Sequence, residues 1–137
     1  MNLSNPKQVV NLDDFLPNDG ESRCNLHYVD DILCLDIFYD KDDFHGEIKR
    51  TISFFGAMYF FKTPFPGYSF FRCVDDRNIS LLNSLVEYEY SDLLKVDDVN
   101  GMSGRKHYRL FLHSTGMAIH VIAQSCDISA EILSCNS

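Results

Sequence analysis

The stretch that decides the fold is HYRLFLHSTGMAIHVIAQ, residues 107–124. Apolar side chains alternate with other residues on both sides of the small, turn-forming residues 114–116. This alternation is typical of β-strands that bury one face, and the short polar interruption between the two runs indicates a tight turn. The stretch therefore predicts an antiparallel β-hairpin.

The length of the turn decides which residues pair across this hairpin. A three-residue turn pairs His113 with Met117 and mixes polar and apolar side chains on both faces. A two-residue turn pairs Phe111 with His120 and separates the two kinds of side chain, so the hydrophobic pattern favours it. One face then carries Tyr108, Leu110, Leu112, Met117, Ile119, Val121 and Ala123. The other face carries His107, Arg109, Phe111, His113, Ala118, His120, Ile122 and Gln124.

Other stretches extend the β pattern toward the N-terminus. Residues 32–39 and 47–55 alternate in the same way and are joined by a short acidic connection, which predicts a second antiparallel hairpin. The aromatic residues 59–72 are interrupted by two prolines and predict strand, turn, strand. Residues 78–91 combine helical with alternating spacing, which indicates a brief helical turn that leads into a strand.

These elements predict a mainly β fold, a single antiparallel β-sheet or half-barrel with one or two short helical turns. A second helical turn is expected at residues 91–95, with Ser91 as its cap. The alternative is an α+β sheet with a helix near residues 78–85. The length of 137 residues fits one domain, residues 1–137, in which residues 1–22 are expected to lie at the periphery.

The composition is acidic and aromatic. The net charge is −8, Asp outnumbers Glu by 15 to 5, and five Asp-Asp doublets lie beside apolar runs. Asp bonds its own backbone in turns, so the acids are expected where the chain turns. Such a charge repels nucleic acid and anionic membranes and attracts a basic protein.

The cysteines and the N-terminal residues indicate the cellular compartment of the protein. The five cysteines form no CxxC pair and leave an odd thiol, which favours the reduced state. The first residues, MNLSNPKQVV, lack the basic and apolar segments of a secretory signal, and no apolar run reaches about 18 residues. We therefore expect a cytoplasmic protein.

The histidine-rich face of the 107–124 hairpin is the candidate for chemistry. His107, Arg109, His113 and His120 share it, and in the expected register His113 and His120 are diagonal neighbours. Two histidines can relay a proton and an arginine can hold an oxyanion, so a small-ligand-binding or hydrolytic site here is the alternative function.

No other sequence pattern indicates a particular reaction. No carboxylate lies on the histidine-rich face, and two imidazoles are too few for a closed zinc site. A phosphate loop, a GxSxG elbow and an HExxH pair are absent from the 137 residues. We therefore expect no catalytic residue, no metal, no cofactor and no enzymatic activity.

Three segments, SLVEYEYSD (84–92), KHYRLF (106–111) and IHVIA (119–123), resemble small immunity proteins of bacterial contact-dependent or polymorphic toxin systems. The likeness covers about the last third of the chain. It implies a cytoplasmic inhibitor that binds and neutralises a basic toxin domain.

On this hypothesis acids speed the encounter and tyrosines slow dissociation. The expected contact residues are Asp40, Asp42, Asp43, Glu87, Tyr88, Glu89, Tyr90, Asp92, Asp97 and Asp98. A third hypothesis is a structural subunit, such as a homodimer, that pairs through an open sheet edge or the aromatic segment 54–71.

Overall fold

The computed structural model describes residues 2–17, 20–40, 46–65, 73, 79–97 and 104–133. Within these ranges the chain forms ten β-strands, one turn of 3-10 helix and two short α-helices. In chain order these are β1 (Leu3–Asn11), the 3-10 turn (Leu12–Asp14), β2 (Arg23–Val29), β3 (Ile32–Asp40), β4 (Glu47–Phe55), β5 (Tyr59–Pro64), α1 (Ile79–Leu82), β6 (Ser84–Ser91), α2 (Asp92–Asp97), β7 (Lys106–Leu112), β8 (Met117–Ala123), β9 (Ser125–Ile128) and β10 (Ile132–Leu133). The prediction of a mainly antiparallel β fold with short helical turns is confirmed.

The strands form two sheets. Sheet one has the order β1-β6-β7-β8-β5, and sheet two has the order β10-β4-β3-β2 with β9 also paired to β4. Alternation along a strand shows that it has two different faces, but it does not show which sheet the strand joins. The division into two sheets therefore differs from the single sheet that the sequence suggested.

The two sheets bury a common core. From sheet two it receives the alternating residues of β3 and β4, including Leu35 and Ile52. From sheet one it receives the predicted apolar face of the β7–β8 hairpin, including Leu110, Ile119 and Val121. This face was predicted correctly.

The predicted pairing within the β7–β8 hairpin is wrong by two residues. Leu112 pairs with Met117 and Arg109 pairs with His120, so the turn contains four residues, 113–116. Gly116 closes it with φ +70 and donates its N–H to the Leu112 carbonyl (2.9 Å). A shift of two residues keeps every side chain on its predicted face while it changes every cross-strand partner.

A corner joins the two sheets where β4 leads into β5 and β8 leads into β9. Gly56 lies in the first connection with φ +63, and an added Cβ there would stand 2.8 Å from the Gln124 side chain. The Gln124 N–H donates to the Phe55 carbonyl (2.8 Å). Glycine at position 56 therefore allows the two crossings to lie side by side.

The outer face of sheet one is covered as well. Leu3 of β1 and Leu93 of α2 pack with Val86, Tyr88 and Ile122 in a second apolar cluster. The helical turns at α1 and α2 were both predicted, and the Leu94 N–H donates to Ser91 Oγ (3.3 Å) as expected of a cap.

The described residues before position 23, which are 2–17 and 20–22, contribute to both faces of sheet one. β1 is an edge strand paired with β6, and Leu12 and Phe15 are buried in the core between the sheets. This segment is therefore part of the packing in addition to lying at an edge. Among the described residues, no helix is long and apolar enough to cross a membrane.

Candidate functional site

The expected contact acids of β6 and α2 lie at the surface together with cations. Glu87 is within 3.7 Å of Lys106, and Asp92 is within 3.7 Å of Lys95. Asp92 also accepts the Asn2 N–H (2.7 Å), and this backbone hydrogen bond is the main reason that its pKa lies below the usual range. These two carboxylates are thus already engaged inside the domain.

Glu89 and Asp40 are the more open members of the expected set. Glu89 is exposed and accepts the Asn5 side-chain amide (3.3 Å), and Asp40 is exposed at the end of β3. Four further members of the expected set lie outside the described part of the structure: Asp42, Asp43, Asp98 and the side chain of Asp97.

The two tyrosines of β6 have opposite surroundings. Tyr90 exposes 55% of its surface and is available to a partner. Tyr88 is 1% exposed, and its hydroxyl accepts a hydrogen bond from Arg109 Nε (3.1 Å). The expectation that Tyr88 contacts a partner is therefore corrected, because its ring is part of the interior of the protein.

The histidine-rich face of the hairpin is interior too. His107 and Arg109 are 0% exposed and His120 is 2% exposed. His120 is opposite Arg109 and bonds to His107, whereas His113 lies in the turn. The expected neighbours His113 and His120 are therefore not brought together. The longer turn shifts the pairing of one strand against the other by two residues, so that Arg109 and not Phe111 is opposite His120.

Arg109 is held by oxygen atoms on three sides. Its Nη1 donates to the carbonyls of Leu81 (3.0 Å) and Ser84 (3.2 Å), and its Nε donates to Tyr88. Its guanidinium carbon stands 3.9 Å from the centroid of the Phe111 ring. Such a planar group, bonded along its edge and stacked on a ring, connects α1, β6 and β7.

A chain of hydrogen bonds runs from Ser91 through His107 to His120. Ser91 Oγ is 2.6 Å from His107 Nδ1, and His107 Nε2 is 2.8 Å from His120 Nδ1. A serine hydroxyl has one proton and two acceptor sites, so Ser91 Oγ can accept the Leu94 N–H and also donate to His107, and we assign its proton to that bond. His107 then carries its own proton on Nε2 and donates it to His120.

Both imidazoles of this chain are neutral. Burial lowers the pKa of His107, and the nearby Arg109 charge lowers it further. Burial also lowers the pKa of His120, with smaller contributions from His107 and Arg109. The arrangement can fix tautomers and connect strands, but the side chains are closed to any substrate that approaches from solvent.

His113 belongs to a different place, which we call the Glu21 cleft. The cleft has a volume of about 550 Å³ and lies between the 3-10 turn, the start of β6 and the β7–β8 turn. Its wall consists of Leu12, Asp13, Leu16, Pro17, Gly20, Glu21, Asn83, Phe111, His113 and Ser114.

Glu21 is the most buried charged residue of this cleft, at 4% exposed. Its Oε1 accepts the Thr115 N–H (3.0 Å) and the Thr115 hydroxyl (3.3 Å). At the mouth, Asp13 Oδ2 accepts the Asn83 side-chain amide (3.2 Å), and His113 Nε2 donates to the Leu82 carbonyl (3.1 Å). The cleft therefore places two carboxylates against a wall of aliphatic side chains.

The thiols and the acids show no further reactive grouping within the described part of the chain. Cys24, Cys34 and Cys126 are free, and burial raises the pKa of the Cys24 and Cys126 thiols. A raised pKa keeps a thiol protonated and weakly nucleophilic. No group of three His, Cys, Asp or Glu side chains that could hold a metal ion occurs among the described residues.

Sequence reasoning missed two features of these sites. Ser91 was recognised only as a helix cap, although its second hydrogen bond starts the histidine chain. Glu21 was not singled out at all, because the residue that bonds its carboxylate, Thr115, lies 94 positions further along the chain. A lone Glu between two turns carries no local signal of burial.

Comparison with known proteins adds no relative. No protein-family model, no curated protein and no solved structure matches this chain. The resemblance of residues 84–123 to immunity proteins therefore stays a prediction.

Proposed function

We propose that this protein is a non-enzymatic inhibitor of the immunity type, which binds and neutralises a basic bacterial toxin domain in the cytoplasm. The proposal is supported by the net charge of −8, by the resemblance of residues 84–123 and by the arrangement of β6. A basic domain is drawn to an acidic surface before specific contacts form, and aromatic side chains then slow its release.

One contrast carries the proposal. His107, Arg109 and His120, the groups suited to chemistry, are closed off in the interior, while Tyr90 of β6 exposes 55% of its surface. Tyrosine is enriched where proteins bind proteins. The chemistry of the surface therefore favours recognition over catalysis.

The test begins with the reading frame beside the gene for this chain. We expect it to encode a large protein with a basic C-terminal domain that arrests bacterial growth, and we expect co-expression of this chain to restore growth. The purified pair should bind with a dissociation constant on the order of nanomolar. Association should slow about tenfold between low and high salt, because salt screens the attraction.

Two variants locate the contact. Glu89→Lys together with Tyr90→Ala should slow association and speed dissociation, since both side chains are exposed. Asp127→Lys is the matched control, because Asp127 is exposed on β9 in the other sheet. A neighbouring product without a basic toxic domain, or association that is independent of salt, would remove the basis of the proposal. Equal effects of both variants would show that the β6 surface is not the contact.

The Glu21 cleft supports a second candidate, a domain that binds a small molecule. Of the residues expected for such a function, only His113 lines the cleft, because Arg109 and His120 are buried elsewhere. Alanine at His113 and at Asn83 would weaken a ligand seated there and leave toxin neutralisation at β6 intact.

A further inference from the structure

The Glu21 carboxylate is almost entirely removed from solvent, at 4% exposed, yet it forms part of the wall of an open cleft. Within the described residues, both of its hydrogen bonds end on Oε1. The second oxygen, Oε2, has no such bond among the described residues, and Glu21 lines the cleft. A buried carboxylate is costly unless its oxygens are bonded or a cation is near.

The remaining wall suits a cation on an alkyl chain. Asp13 adds a second carboxylate at the mouth, and the part of the wall that the structure describes contains no Lys or Arg. Leu12, Leu16 and Pro17 line the same cleft as Glu21. Aliphatic walls of this kind cover the methylene stem of a lysine or arginine whose charged end reaches a carboxylate.

Two features hold the cleft open and in shape. The Phe111 ring is stacked on Phe65 (4.1 Å between centroids) and on the Arg109 guanidinium (3.9 Å), which fixes its position. Gly20 has φ +77, and a Cβ added there would collide with Ser114 Oγ. The positive φ favours glycine at position 20, where the segment that carries Glu21 approaches Ser114 of the β7–β8 turn.

We propose that the Glu21 cleft receives the guanidinium or ammonium end of an arginine or lysine side chain from the basic partner. The idea rests on the proposed function for the identity of the partner, whereas the affinity of the cleft for such a side chain is a property of this chain alone. The volume of about 550 Å³ lies within the range of small-ligand sites, about 300–1,000 Å³.

The first experiment measures the binding of single side chains to the full-length protein by NMR titration. The probe is N-acetyl-arginine amide, and its control is N-acetyl-citrulline amide, which has nearly the same shape without the charge. We expect the arginine probe to bind with a dissociation constant on the order of 1 mM, about tenfold tighter than the citrulline probe. Equal binding of the two probes would overturn the proposal.

The second experiment changes the cleft. Glu21→Gln keeps an acceptor oxygen for Thr115 and removes the charge, so it should weaken binding of the arginine probe about tenfold. Asp127→Asn, the same kind of change at an exposed site in sheet two, should leave binding unchanged. Unaltered binding to Glu21→Gln would show that Glu21 serves only to hold the turn. If Glu21→Gln does not fold, Asp13→Asn at the mouth takes its place, and an unaltered affinity there would equally overturn the proposal.

The outcomes separate this inference from the proposed function. If the toxin domain binds wild-type protein and Glu21→Gln equally well, the partner does not use the cleft, and the inhibitor function stands. If the arginine probe binds in the cleft but no basic partner is neutralised, the cleft accepts a cation and the inhibitor function fails.

Discussion

The two faces of the β7–β8 hairpin are buried to the same degree by different means. The inner face, with Leu110 and Ile119, contacts the opposite sheet through apolar side chains. The outer face, with His107, Arg109 and His120, is closed by directed hydrogen bonds to β6 and α1 and between strands. Apolar contacts tolerate changes of shape, whereas a buried hydrogen bond fails when one partner is removed. Burial alone therefore does not show how a face responds to substitution.

The largest expected effect comes from introducing methionine on each face of the hairpin. Arg109→Met should lower the free energy of unfolding by about 3–5 kcal/mol, because it leaves the Leu81 and Ser84 carbonyls and the Tyr88 hydroxyl without their donor. Leu110→Met should lower it by less than about 1.5 kcal/mol. The chain has no tryptophan, so urea unfolding is followed by circular dichroism. Similar losses for both variants would mean that the outer face behaves as an ordinary apolar core.

The second expected effect is a dependence of the free energy of unfolding on pH, which comes from the histidines of the outer face. The pKa values of His107 and His120 are lowered by burial, so both histidines are neutral in the folded protein and take up protons on unfolding below their ordinary pKa of about 6.5. Their contribution to stability is complete above that pH and is lost as the pH falls. From pH 7.5 to 5.5 we expect a loss of about 3 kcal/mol.

A variant tests whether these two histidines cause the loss. His120→Asn keeps an acceptor for His107 and removes one titrating group, so it should reduce the loss between pH 7.5 and 5.5 by about half. The carboxylates with lowered pKa values, Glu47 and Asp92, stay ionised in this range and do not contribute. An unchanged slope for His120→Asn would mean that other groups titrate.

The same comparison shows what the sequence could predict. Alternation in residues 107–124 was enough to assign each side chain to a face, because a face depends only on odd or even position. The pairing was not predictable, because the turn is held from outside: Glu21 bonds Thr115, and this contact spans 94 residues. The hydrophobic pattern favoured a turn of two residues over one of three, but a turn of four leaves the same residues on each face, and a distant carboxylate stabilises it.

The residues that cover the outer face could not be predicted from the sequence either. The sequence indicated α2 and its Ser91 cap, but it gave no sign that Leu3, near the N-terminal end of the described chain, would pack with Leu93, Tyr88 and Ile122. A histidine in an alternating strand has the same pattern whether water or another layer lies above it. Burial of the histidine-rich face and assembly of the Glu21 cleft both depend on contacts that no single segment encodes.

The smallest effect tests the link between the helix cap and the histidine chain. Ser91→Ala should lower the free energy of unfolding by about 1–2 kcal/mol, because it removes the cap of α2 and the donor to His107 Nδ1. Loss of that donor should also release the tautomer of His107, which nitrogen-detected NMR of the imidazole rings measures directly. In the wild-type protein, we expect the proton of His107 on Nε2 alone. If Ser91→Ala lowers the stability but leaves the tautomer unchanged, the hydroxyl acts only as a cap, and the outer face is ordered by Arg109 and not by the chain of imidazoles.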